Sequence, residues 1–192
     1  MSCKFFVEGT ADKKFLSDYI QFVFQKDISE QIVFVNGKDS LHLVKNQFEI
    51  NSIKGGINLV IFDADSNYEQ SLKTIREKVS ELNIELQDIF LFPNNSSKGS
   101  LEDLLLKITP SEHNDFFDCF NNYENCLKGH KKFYNPALKT KVYAYVDTLN
   151  LARKPDDLAK ENKRNYADPY YWDLNSEYLN SLKVFLAKYL LP

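Results

Sequence analysis

The sequence predicts an α/β protein: a three-layer unit with helices on both faces of a four-stranded parallel sheet, followed by a helical extension. Three observations carry this. Four short runs rich in β-branched and aromatic residues, Lys4–Val7, Gln31–Val35, Leu59–Phe62 and Ile89–Phe92, alternate with segments of helical period. Such alternation makes a parallel sheet with right-handed crossovers the expected arrangement. The third run, Leu59-Val60-Ile61-Phe62, has no polar alternation, which suits a strand covered on both faces. Beyond Thr109-Pro110 the strand-like runs stop and only helical spacing remains. The expected organisation is therefore a sheet unit over residues 1–108 and a helical extension over 109–192 packed on it.

The bulk properties narrow the class. A chain of 192 residues is long enough for one sizeable core plus an appendage, and short for two full domains. A hydrophobic content of 43% with 27% charged residues excludes disordered and fibrous classes. No apolar run approaches the roughly 20 residues of a membrane span, and the amino terminus lacks the basic-then-apolar layout of a signal peptide. A cytoplasmic protein without a membrane partner is expected. Cys3, Cys119 and Cys126 are odd in number and lack CxxC spacing, so they read as reduced packing residues. His42, His113 and His130 show no ligand spacing for a structural zinc.

Taken in order, Lys4–Val7 is a strand that ends on Glu8, and Gly9 permits a tight turn into a helix. Thr10 is expected to cap that helix, Asp12 to lie in its first turn, and Phe15, Tyr19, Ile20, Phe22 and Val23 to form its apolar stripe. Gln31–Val35 is the second strand, closed by Asn36-Gly37, and Ser40–Phe48 a helix with Leu41, Val44 and Phe48 inward. Lys54-Gly55-Gly56 breaks the chain before the third strand. Ser66 and Glu69 form an S-x-x-E capping pattern ahead of Leu72, Ile75, Val79 and Leu82 at helical spacing. The fourth strand leads through Pro93–Gly99 to a helix opening Ser100-Leu101-Glu102-Asp103. In the extension, Thr109-Pro110 is expected to start a helix carrying Phe116, Phe117, Phe120 and Tyr123. Asn135-Pro136 starts one carrying Leu138, Val142, Tyr145, Val146 and Leu149. Arg153–Asn165 reads as loop or frayed helix, and Asn175 as the cap of a last helix with Tyr178, Leu182, Phe185, Leu186 and Leu190. Trp172, Tyr170 and Tyr171 are expected to pin the tail to the core.

The chemistry is concentrated where the third strand ends. Asp63 and Asp65 are one residue apart, and on an extended chain residues i and i+2 point the same way. Ligands of open α/β sheets bind at the carboxyl ends of strands. Two carboxylates on one side of a strand end repel unless solvent or a cation compensates, and a hard divalent ion such as Mg²⁺ takes one or two such carboxylates. The alternative is a solvated loop in which Asp65 and Ser66 merely cap the next helix. Glu8 ends the first strand, so it converges with Asp63 and Asp65 if the first and third strands are neighbours. That requires the order 2-1-3-4. One Glu with an Asp-x-Asp pair is a workable magnesium site for phosphoryl chemistry.

These residues carry a resemblance. The opening Phe5-Phe6-Val7-Glu8-Gly9-Thr10-Ala11-Asp12, followed some fifty residues later by a strand and Asp-x-Asp, resembles the TOPRIM domain of topoisomerases, DnaG-type primases and OLD-family nucleases. The Asn94-Asn95 to Asp103 segment and the Lys139–Tyr145 helix are similar to small stand-alone bacterial TOPRIM-like proteins of unknown function. The resemblance implies a Rossmann-like TOPRIM fold, Glu8 as acid/base glutamate, and Asp63 and Asp65 as ligands of Mg²⁺ or Mn²⁺. Asp65 is followed by Ser66-Asn67-Tyr68 and not by the glycine of D-x-D-x-x-G, and no separate domain supplies a tyrosine nucleophile. The implied activity is therefore a nuclease-like phosphodiester hydrolase, not strand passage or priming.

No G-x-x-x-x-G-K-[ST] phosphate loop occurs, so any ATPase of the OLD type would be a separate partner. By the same resemblance Glu102 is a candidate ligand for a second metal, although Ser100-x-x-Asp103 is itself a capping box. Asp12 and Asp103 are candidates for a supporting role behind the ligands, and Lys139 and Lys141 for contacts to substrate phosphate.

Net charge is −3, but residues 109–192 carry 12 basic and 11 acidic side chains against 12 and 16 before them, so the extension is the basic half. Residues 128–164 hold ten Lys or Arg against four acids, interleaved with Phe133, Tyr134, Tyr143 and Tyr145. This stretch is either a solvated face or a surface for nucleic acid or nucleotide. The competing functional class is a non-catalytic module that binds nucleotide, nucleic acid or a partner protein and keeps its acids for metal or for folding.

Overall fold

A computed structural model describes residues 2–149 and 161–191 of the chain. Strands β1 (Cys3–Val7), β2 (Ile32–Phe34), β3 (Ile57–Asp63) and β4 (Asp88–Phe92) form one sheet in the order β2-β1-β3-β4. Every pairing is parallel, with Val7 opposite both Phe34 and Ile61, and Asp63 opposite Phe92. Seven α-helices lie among the described residues: α1 (Thr10–Phe24), α2 (Lys45–Ile53), α3 (Tyr68–Glu81), α4 (Leu101–Lys107), α5 (Asn114–Lys128), α6 (Leu138–Thr148) and α7 (Asn180–Leu190). The predicted α/β class and the 2-1-3-4 order are those observed.

The strand period of two sorts the sheet residues into two cores. Phe6, Val60, Phe62 and Leu91 face α2, the 3₁₀ segment before it and α3, from which Phe48, Leu41, Val44 and Ile75 meet them. Phe5, Val7, Leu59, Ile61, Phe90 and Phe92 face the opposite way, into a larger core. That second core takes Phe15, Leu16, Tyr19 and Ile20 from α1 and Leu104 and Leu105 from α4. It also takes Val142, Tyr145, Tyr166, Trp172, Leu182, Phe185 and Leu186 from the extension. The extension thus covers one sheet face instead of building a core of its own. Phe15 marks the junction, with its ring edge-on to both Phe92 and Tyr166. Truncating such a buried ring costs about 3–5 kcal/mol.

Polar contacts fix the same seam. The Tyr166 N–H donates to Asp18 Oδ2 at 2.9 Å, Asp173 N–H to the Ile108 carbonyl at 2.6 Å, and Tyr189 hydroxyl to Asp88 Oδ2 at 2.8 Å. Trp172 and Tyr171 are buried as expected, while Tyr170 is partly exposed and lies edge-on to His113. The free edge of β4 is closed locally. Asn95 Oδ1 accepts from Leu91 N–H at 3.0 Å, and Asn95 N–H donates to the Leu91 carbonyl at 2.7 Å. A side chain and its own backbone there replace a neighbouring strand, which blunts edge-to-edge association.

Several helix starts differ from the sequence expectation, each by local geometry. Gly9, not Thr10, precedes α1 in extended conformation, and Asp12 folds back so closely that a Cβ on Gly9 would lie 2.6 Å from its Oδ2. Asn67, not Ser66, caps α3 and accepts from Gln70 N–H at 3.0 Å, because the chain first turns through Asp65 at φ 52°. Ser40–Phe48 is not one helix: a 3₁₀ segment, Lys38–Val44, precedes α2. Thr109 donates to the Leu106 carbonyl instead of capping, and a 3₁₀ turn over Ser111–His113 leads into α5. Ala137 precedes α6, and Ser176, not Asn175, accepts from Tyr178 N–H at the final turn. The Ser100/Asp103 capping box forms as predicted. Of the polar stretch Arg153–Asn165, residues 153–160 lie outside the described residues, and Glu161–Lys163 is a 3₁₀ turn.

Candidate active site at the carboxyl edge

Parallel pairing brings the ends of β1 and β3 to one edge of the sheet. Glu8, one residue past β1, reaches across so that its Oε2 accepts from Asp63 N–H at 3.2 Å. Asp63 Oδ1 in turn accepts from Leu101 N–H, the first residue of α4, at 2.9 Å. Three elements, β1, β3 and α4, are therefore tied by carboxylates. From α1, Asp12 is buried at 6% exposure, and from α4, Glu102 accepts from the Ser100 hydroxyl at 2.9 Å.

The electrostatics place Glu8, Asp12, Asp63 and Glu102 in one field. Burial is the main cause raising the Asp63 carboxyl to about 9, and the negative charges of Asp12, Glu8 and Glu102 add to it. Asp12 is pushed up to about 7, first by burial, then by Glu102 and Glu8. Glu8 is raised by burial and by Asp65 and Asp39, against the lowering pull of the Asp63 N–H and Lys38. Like-charged carboxyls in a poorly solvated site share protons or attract a cation.

Asp65 does not point into this cluster. It takes up the left-handed region at φ 52°, its backbone bridges Gly99, and its carboxylate pairs with Lys38. Lys38 also donates to Ser71 Oγ at 3.1 Å, and Ser71 donates to the Ala64 carbonyl at 2.8 Å. Beside this pair Asp39 is bound by Lys78. The i, i+2 argument requires extended backbone, and the strand ends at Asp63. Asp103 accepts from Ser100 N–H at 2.8 Å and serves the capping box.

The two lysines of α6 separate. Lys139 interacts electrostatically with Glu102 and forms an ion pair with Glu161 at 2.7 Å. Lys141 faces α5, bound to Glu124 at 2.8 Å and Asn121 at 3.1 Å. Around Lys139 stand Tyr143, whose ring lies 5.9 Å from its Nζ, and the buried Arg164, 4.3 Å from the same ring. Within the basic stretch, Arg153, Lys154 and Lys160 lie outside the described residues. Lys128, Lys131 and Lys132 are on or near an exposed turn with Phe133 and Tyr134.

Lys38 and Glu161 belong to no motif. The one available signal for Lys38 is its place just after the second strand, on the ligand-binding edge.

A set of four carboxylates offers hard oxygen donors, the chemistry that suits Mg²⁺ or Mn²⁺. Among the described residues no three His, Cys, Asp or Glu already stand as ligands around one point. No described helix is long and apolar enough to cross a membrane. Neither the curated proteins nor the solved structures contain a match to the chain. A family model described as protein of unknown function (DUF3226) matches residues 3–191, almost the full length, and the chain belongs to that family.

Proposed function

We propose that the carboxyl edge is a divalent-cation site for phosphodiester hydrolysis, acting on nucleic acid or a nucleotide, in keeping with the TOPRIM-like order of its motifs. One observation carries the reading. Asp63 and Asp12 are driven far above the usual carboxylate range by burial and by facing other acids, an arrangement that is relieved by protonation or by a bound cation. Glu8, Asp63 and Glu102 are the residues that would hold Mg²⁺ or Mn²⁺, with Asp12 behind them. Asp65 would join only by giving up Lys38. The ion, when bound, supplies neutralisation of phosphate charge and orientation of the attacking oxygen.

The chain's own residues do the rest. Glu8, whose carboxyl is raised above its usual range chiefly by burial, is suited to take the proton of an attacking water. The Leu101 N–H fixes one Asp63 oxygen, so the carboxylate is oriented before any ligand arrives. An ATPase, if the reaction uses one, does not lie in these residues, which lack a G-x-x-x-x-G-K-[ST] phosphate loop.

The test is cleavage of plasmid or oligonucleotide by the purified protein with Mn²⁺, with Asp63→Asn as the control. Loss of cleavage in the folded variant supports the reading. No heat of binding for Mg²⁺ or Mn²⁺ together with an unchanged melting temperature sinks it. A non-catalytic binding module is the second reading, and the lack of three preset ligands among the described residues favours it. It predicts nucleotide or nucleic-acid binding that Asp63→Asn leaves intact.

A further inference from the structure

Beside the acid cluster lies a small cationic cradle with an anion already in it. Lys139 projects from the first turn of α6, and Tyr143 stands one turn later on the same face. The Glu161 carboxylate is paired with Lys139 Nζ at 2.7 Å and interacts electrostatically with Tyr143. Its side chain is only 14% exposed, whereas that of Lys139 is 52% exposed. Behind the Tyr143 ring lies the Arg164 guanidinium, 3% exposed and 4.3 Å from the ring centroid. The cradle borders the acids, because Lys139 interacts with Glu102 and the buried Tyr166 with Asp12.

An exposed surface ion pair would need none of this. The carboxylate is largely withdrawn from solvent, paired with an ammonium and set beside a phenol whose ring stacks on a buried guanidinium. Those donors suit any compact oxyanion, and a phosphate is the one relevant next to a phosphoryl-transfer site. We propose that Lys139 and Tyr143, the latter backed by Arg164 on its ring, form a phosphate-binding subsite beside the acid cluster, and that Glu161 occupies it as an intramolecular stand-in until substrate phosphate displaces it. The subsite deepens the hydrolase reading by naming where a flanking phosphate of the substrate sits. Glu161 thereby sets a threshold for binding, since an incoming phosphate must compete with a tethered carboxylate.

The experiment measures inorganic phosphate binding by ³¹P NMR titration in a chelator-treated buffer, so hydrolysis and the metal site play no part. Glu161→Gln removes the competing charge and keeps the side-chain size. It is expected to tighten phosphate binding by about tenfold, the usual scale for one charge-assisted contact. Lys139→Met in the Glu161→Gln background is expected to reverse that gain. If Glu161→Gln, folded as judged by its melting curve, binds phosphate no more tightly than the native chain, Lys139 has turned to Glu102 and the subsite does not exist. Should Glu161→Gln fail to fold, Lys139→Met alone decides: unchanged phosphate binding overturns the proposal, and weakened binding supports it. A positive phosphate result with no metal-dependent cleavage would keep the subsite and discard the hydrolase.

Discussion

One edge of the sheet carries two groups of acids that solve the same electrostatic problem in opposite ways. On the β2 side, Asp65 is paired with Lys38 and Asp39 with Lys78, so each carboxylate has its own ammonium. On the α4 side, Glu8, Asp12, Asp63 and Glu102 face one another, and burial with mutual repulsion raises Asp63 and Asp12 well above their usual range. Glu8 belongs to both groups, lowered by Lys38 and raised by Asp65 while itself raising Asp63. Paired acids stabilise a fold modestly; facing acids destabilise it and are kept where a cation or a proton is handled. On the proposed reading, the contrast puts the chemistry on the α4 side.

The largest expected effect tests that assignment through activity. Glu8→Gln is expected to lower Mn²⁺-dependent cleavage by roughly 10²–10⁴-fold, the usual contribution of a positioned acid or base. Asp39→Asn, on the paired side, is expected to change the same single-turnover rate by less than about fivefold. Equal losses in the two variants would erase the distinction.

The next effect is on stability and has a definite sign. The folded-state carboxyls of Asp63 and Asp12, at about 9 and about 7, hold protons that the unfolded chain releases near 4. Their neutral forms therefore stabilise the metal-free fold fully at pH below about 4, and that contribution is lost as pH rises through about 7 to 9. The metal-free protein should melt progressively lower between pH 5 and pH 9. Asp63→Asn, which keeps an acceptor for Leu101 N–H, should flatten this fall and be the more stable form at pH 9, on the order of 2–4 kcal/mol. A pH-independent difference between the two proteins would show that Asp63 does not titrate against its neighbours.

A divalent cation should offset the same repulsion. At a Mg²⁺ concentration of about a hundred times Kd, linkage predicts a gain near 2.7 kcal/mol at neutral pH, read as a rise in melting temperature. The rise should be absent in Asp63→Asn. A rise of equal size in both would put the ion elsewhere.

Much of this was legible in the residues, for reasons that can be named. The strands and their order follow from short apolar runs alternating with helical periods, and from the need to set Glu8 beside Asp63. Periodicity also found the inward faces of α3 and α6, whereas Phe22 of α1 and Tyr123 of α5, expected in apolar stripes, are exposed. Caps were the weak point, because Ser66, Thr109 and Asn175 compete with Asn67, Leu106 carbonyl and Ser176 at separations of one to three residues, and only the turn geometry decides. The pairing of Asp63 with Asp65 failed for a similar reason: one left-handed residue after the strand turns Asp65 away. The contacts of Lys38 and Glu161 were not legible, since their partners lie 27 and 22 positions away and no local pattern encodes such pairings.

The smallest effect concerns Asp65 itself. Its side chain is 60% exposed, and it shares Lys38 with Ser71, which keeps the ammonium bonded when the carboxylate is removed. Asn tolerates the left-handed backbone at this position, so Asp65→Asn introduces no strain. The expected stability cost is about 0–1 kcal/mol and shrinks with added salt. Mg²⁺ affinity should weaken by less than about tenfold, because recruiting Asp65 means breaking its pair with Lys38 and the two terms nearly cancel. Calorimetric titration of Asp65→Asn beside Asp63→Asn decides the matter. If both variants lose Mg²⁺ equally, Asp65 is a full ligand, Lys38 is only its resting partner, and Asp65 belongs with the facing acids.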